Sequence, residues 1–180
     1  VLFALVVPLS VLLFWLAQGL ITTETVPVVW NAALHSVLAA ALAASVTVVM
    51  ALPVAVLAVR YPGGFSAILE RLSYTGFALP GIVVALSLIF FGIRFAYPFY
   101  QTLPMLIFAY MVLFLPQALG SARSSLLQVS PRLEEAGRSL GHSVPGILAR
   151  VTIPLVRPGL LAGAALVFLT VMKELPATLL

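Results

Sequence analysis

Five long apolar runs, at about 1–20, 34–59, 77–93, 103–120 and 156–173, alternate with shorter segments that carry most of the polar side chains. About 20 apolar residues cross the hydrocarbon of a bilayer as a helix. Lipid admits only helices or closed barrels, and these runs lack the two-residue alternation of barrel strands. The pattern therefore predicts an all-α, polytopic membrane protein with five transmembrane helices, the fifth continuing towards residue 180. Small residues recur inside the runs: Ala39, Ala40, Ala43, Ala44 and Ala51 in the second, Gly159, Gly163 and Ala164 in the fifth. They predict close helix packing. Pro53, Pro80, Pro104 and Pro116 fall near span ends or where a turn is loosened.

The polar segments orient the runs. The connection at 60–76 holds Arg60 and Arg71, and the long one at 120–157 holds Arg123, Arg132, Arg138, Arg150 and Arg157. The connections at 21–33 and 94–102 hold only Arg94 between them. Basic residues concentrate on the cytoplasmic side of short loops, so 60–76 and 120–157 are expected there. The assignment alternates through every span.

Composition agrees. Of 180 residues, 63% are hydrophobic and 8% charged, and the mean hydropathy is +1.21. A soluble domain is about one quarter charged, so the excess apolar surface is expected to face lipid. The net charge is +4, but nine basic residues make no stripe for nucleic acid. No cysteine is present, which removes disulfides, thiolate metal sites and cysteine nucleophiles. Residues 1–17 do not read as a signal peptide. The chain starts inside one apolar run and stops inside another, and is expected to be a fragment of a longer polytopic protein, truncated at both ends.

Residues 130–158 are the most informative segment. Ser130-Pro131 predicts a helix start, with Pro at the first position where its missing N–H costs nothing. Leu133, Ala136, Gly137 and Leu140 then fall on one apolar or small face, and Glu134 and Arg138 stand at the supportive i, i+4 spacing. Gly141 is expected to end this helix as a left-handed cap. Ser143 starts a second short helix with Pro145 in its first turn and Ile147, Leu148 and Val151 as its apolar side. Pro154 and Pro158 are expected to break that helix before the fifth span. Two short helices hinged at a glycine form a compact knob, and an apolar stripe rimmed by charges suits a partner-binding surface.

Glu135-Ala136-Gly137, three residues, Gly141, nine residues and Val151-Thr152-Ile153-Pro154 resemble the EAA loop of binding-protein-dependent ABC-importer permeases. The departures are Gly for the second Ala and exchanged branched aliphatics near the end. The likeness runs from about 34 to 180, its specific part over about 25 residues. It implies one transmembrane permease domain over 1–180, part of a six-helix importer core, with a cytoplasmic helix-Gly-helix coupling loop at 121–157. It further implies that Glu135, Ala136, Gly137, Gly141, Ile153 and Pro154 carry coupling to a cytoplasmic ABC ATPase. The remaining expected partners are an external solute-binding protein, a second permease half or subunit and the lipid bilayer, in a bacterial inner membrane. No nucleic acid, cofactor or metal site is expected. The chain carries neither a G-x-x-x-x-G-K-[ST] nor a G-x-G-x-x-G motif, so nucleotide chemistry belongs to a partner.

Lys173-Glu174-Leu175-Pro176 closes the fifth run. About 1.5 Å per residue places Lys173 roughly 24 Å beyond Arg157, past the membrane centre. Charges at that depth usually face a cavity, a partner helix or an interface. Lys173, Glu174 and Pro176 are therefore candidate translocation-path residues. The wording from Met172 to Leu180 resembles ferric-iron importer permeases, and permeases for thiamine, sulfate, molybdate and polyamines carry similar segments. His35 and His142 lie on opposite predicted sides and cannot share a metal. Tyr97 and Tyr100 fit an interfacial aromatic belt. Glu134 and Glu135, adjacent on a solvated loop, make no catalytic pair. A secondary transporter would need an acidic residue at mid-membrane, which the first four runs lack.

Overall fold

The computed structural model describes residues 2–21 and 26–174. Among these every regular element is helical: α1 (Leu2–Ile21), α2 (Val26–Arg60), α3 (Gly64–Tyr74), α4 (Gly81–Phe95), α5 (Leu103–Gln128), α6 (Pro131–Ser139), α7 (Val144–Ile147) and α8 (Ile153–Met172). The chain divides into two units, residues 1–38 and 39–180.

In the first unit, α1 is apolar apart from Ser10 and Gln18 and carries Pro8 in its interior. Phe14 and Trp15 meet edge to face at 6.0 Å. His35 Nδ1 bonds the Asn31 carbonyl at 2.7 Å, a contact one turn back along its own helix.

The core of the second unit mixes many small side chains with a few large ones such as Tyr110, Leu119 and Leu126. Ala40, Ala43, Ala44, Ala51 and Ala55 are buried, while Phe90, Leu161 and Leu169 are exposed. Hydrocarbon solvates a leucine as well as another leucine does. Large side chains therefore gain little by turning inward, and small ones let backbones approach. Gly159 and Gly163 of α8 show this directly. A Cβ at Gly159 would collide with the Ser125 side chain, and one at Gly163 would lie 2.9 Å from Ser121 Cβ. Thr170 Oγ1 donates to Gln117 Oε1 at 3.3 Å across the same α5–α8 contact.

Residues 30–60, 103–128 and 144–172 form helices long and apolar enough to cross a bilayer. The third predicted run takes a different form. A 3₁₀ turn at Thr75–Ala78 extends α3, and α4 leaves it at 105°. The corner is Leu79-Pro80: Leu79 is extended (φ −97, ψ 127), as a residue before proline prefers, and Pro80 is extended as well. Gly76 seats the turn on α5, since a Cβ there would meet the Val112 carbonyl.

Pro154 and Pro158 do not break the helix before the fifth span. A π turn at Leu148–Thr152 links α7 to α8, and the Ile153 N–H reaches back five residues to the Leu148 carbonyl. The wider turn relieves the clash that a proline ring makes with the carbonyl four residues earlier. Pro154 then occupies the first turn of α8, and Pro158 is carried inside it.

A valine at Gly159 should cost about 1–3 kcal/mol of overpacking. Thermal unfolding in detergent should show a lowered midpoint for Gly159→Val, largely restored by a second change, Ser125→Gly.

Candidate functional site

The two arginine-bearing connections meet at one end of the second unit. Arg60, the last residue of α2, donates from Nε to Glu134 Oε1 of α6 at 2.9 Å. Its Nη2 donates to the Val129 carbonyl, at the C-terminus of α5, also at 2.9 Å. Thr152, in the π turn, donates its hydroxyl to the same Glu134 oxygen at 3.1 Å. The two ionic side chains are only 10% and 11% exposed. A charge so far from water must be paired and hydrogen-bonded, and here it is. Arg138 donates to the Tyr61 hydroxyl at 3.2 Å on the exposed side of the same junction. Arg123 of α5 pairs with Glu70 of α3 at 3.2 Å.

The knob itself follows from local chemistry. Ser130 has extended backbone angles and Pro131 opens α6, although the serine side chain makes no capping bond. Gly141 is left-handed, with φ +82. The Gly141 N–H bonds the Arg138 carbonyl at 2.9 Å and the His142 N–H bonds the Gly137 carbonyl at 3.2 Å. Those two bonds make a Schellman cap. The chain then reverses into α7, and Ile147 packs onto α6 at Gly137, where a Cβ would sit 3.1 Å from Ile147 Cγ1.

This geometry divides α6 into two faces. Glu134 and Gly137 are buried towards the bundle, whereas Leu133, Glu135, Ala136 and Leu140 are exposed, Leu140 by 79%. The apolar face expected from spacing is therefore split. Gly137 belongs to the inner packing, and the other three members lie on the open side. The expected Glu134–Arg138 pair is replaced by two long-range contacts, Glu134 to Arg60 and Arg138 to Tyr61. Arg60 and Thr152 as partners of Glu134 were missed by the sequence reading. A signal existed: adjacent residues on a helix point about 100° apart, so Glu134 and Glu135 cannot share one environment.

Of the other candidates, Gly141 is exposed beside Glu135 and Ala136 on the knob, while Ile153 is half-buried and Pro154 exposed at the start of α8. Lys173 and Glu174 lie at the opposite end of α8, and Pro176 lies outside the described residues. Lys173 caps α8 and is exposed. Glu174 is half-buried, with Oε1 2.7 Å from where a Gly81 Cβ would sit. That places a carboxylate against the N-terminus of α4, where first-turn N–H groups favour negative charge.

Residues 48–180 match the model of a family described as the binding-protein-dependent transport system inner membrane component. Over 176 residues, 97% of the chain, it is 42% identical to a Fe(3+)-transport system permease protein of Haemophilus influenzae, and it spans 35% of that protein's length. Over 180 residues, 96% of the chain and 67% of the relative, it is 30% identical to a probable molybdenum ABC transporter permease protein of Haloferax volcanii. The molybdenum transport system permease protein ModB of Escherichia coli is 28% identical over 167 residues, 83% of the chain and 70% of that protein.

A side chain forced into the left-handed region costs about 1–2 kcal/mol, less for asparagine. Hydrogen exchange over 136–142 should therefore quicken in Gly141→Val and change much less in Gly141→Asn.

Proposed function

The chain belongs to the family of binding-protein-dependent transport system inner membrane components, and we propose that it is part of the permease of an ATP-driven ABC importer for ferric iron. The permease would sit as a multi-pass protein in a bacterial inner membrane, with the knob facing the cytoplasm. It would receive solute from an external binding protein and pass it across by alternating access, together with a second permease half or subunit. A separate cytoplasmic ATPase would supply the energy.

The observation that carries this reading is the knob. A capped helix anchored on one side by Gly137 and Glu134 leaves Leu133, Glu135, Ala136 and Leu140 free on the other. An exposed apolar stripe of Leu133, Ala136 and Leu140, bordered by the charged side that carries Glu135, is a surface shaped for a groove on a partner. Glu135 and Ala136 would touch the ATPase, and Gly141 would fix the angle at which α6 is presented. Ile153 and Pro154 would act further in, by setting where α8 begins. At the far end, Glu174 against α4 and the exposed Lys173 would line the path.

Ferric iron is favoured by the 42% identity to a Fe(3+)-transport permease over nearly the whole chain. Molybdate is the second reading, supported by the molybdenum permeases at 30% and 28%. Uptake of each, driven by ATP in the full-length complex with its binding protein, separates the two.

Within that complex, Glu135→Arg inverts an exposed charge, and like-charge contacts at an interface cost several kcal/mol. Glu135→Arg, and Gly141→Asp through the new charge it places on the exposed side of the knob, should leave membrane insertion intact and abolish uptake. Normal recruitment of the ATPase by both variants would refute the docking role.

A further inference from the structure

Adjacent residues of α6 meet different surroundings: Glu135 is open to a partner, and Glu134 is buried against the bundle. We propose that the Arg60–Glu134 pair is a positioning joint that turns displacement of the coupling helix into movement of α2, α5 and α8. The proposal rests on the transport reading above and assigns the part of the chain that receives the mechanical input.

The connectivity is specific. The Arg60 fork ends α2, and its two arms hold different elements: Nε grips α6 through Glu134, and Nη2 grips the end of α5 through the Val129 carbonyl. Glu134 Oε1 also holds the Thr152 hydroxyl, and Thr152 belongs to the π turn that runs into α8. One carboxylate and one guanidinium thus join the loop to three helices long enough to span a bilayer.

A cavity of about 40 Å³ adjoins the pair, lined by Arg60 and Glu134 themselves together with Val56, Tyr61, Ile147 and Leu148. The neighbouring ties differ in kind. Arg138–Tyr61 is exposed, and Arg123–Glu70 is partly exposed and connects α3 to α5 without involving α6. Contacts of that sort are weak and yield to solvent.

Stability alone gives no reason for these charges. Replacing a buried ion pair by apolar side chains of similar volume is often neutral or stabilising, whereas removing one partner is severely destabilising. An apolar pair packs, but it slides. A guanidinium that donates from two nitrogens to acceptors on two different elements fixes direction and length at once. The charges therefore serve a joint that must transmit a shift without absorbing it.

The test uses the full-length chain, reconstituted with its ATPase and binding protein. Stimulation of ATP hydrolysis by the binding protein reports communication between the two faces without requiring the solute to be known. Arg60→Met combined with Glu134→Leu and Thr152→Val leaves neither an unpaired buried charge nor a stranded buried hydroxyl, and should still co-purify with the ATPase. Its stimulation should fall about tenfold, well inside the range that site-to-site coupling spans. Arg60→Lys keeps the charge but lacks the fork, and should fall with it. Wild-type stimulation in either variant overturns the proposal. So does loss of ATPase co-purification in step with stimulation, because the pair would then merely hold the docking surface in shape. A wild-type chain that neither binds the ATPase nor responds to the binding protein removes the transport reading along with the joint.

Discussion

One buried guanidinium organises the arginine-rich end of this protein. Arg60 closes a helix of 35 residues with its charge out of water, and that charge must find acceptors nearby. Glu134 and the Val129 carbonyl are those acceptors, and each fixes a separate element. Once Glu134 is turned inward, α6 has a single allowed rotation about its axis. Gly137, one turn further on, must then lie against the bundle, where Ile147 fills the space a side chain would need. The exposed set follows by subtraction. Which residues the knob shows to a partner is thus decided by a charge on the opposite face.

The rest of the second unit is held by close approach. Burial of large apolar groups contributes little between helices in lipid, so backbone proximity and a few polar contacts must suffice. Gly159, Gly163, Ser121, Ser125 and Ala118 supply the first at the α5–α8 contact, and Thr170 with Gln117 supplies the second. Among the described residues, no buried side-chain nitrogen or oxygen lacks a partner.

Much of the fold was legible in the sequence because it rests on local rules. The apolar runs, the inward alanines, the Ser130-Pro131 helix start and the Gly141 cap each depend on residues within a turn or two. The Gly141 cap came out in its full Schellman form for that reason. What escaped the sequence depends on partners far along the chain. Glu134 bonds a residue 74 positions away, and spacing on α6 suggested Arg138 instead. Prolines were read only in part. Pro80 stands near a span end as expected, but the 105° corner it makes there was not foreseen, and Pro154 is absorbed by a π turn where a break was expected. A proline fixes what its own residue cannot do; its neighbours choose the remedy.

The π turn has a geometric consequence for everything downstream. An α-helix advances about 100° per residue, and a turn that closes over five residues holds one more than the regular ladder requires. Every side chain after Thr152 is therefore rotated by about that angle relative to an unbroken continuation of α7. The azimuth at which Gly159 and Gly163 confront α5 is consequently a property of Leu148–Thr152 as much as of the glycines themselves. Were this turn to tighten to the regular ladder, α8 would spin in its seat like a key, presenting bulk where it now presents smoothness.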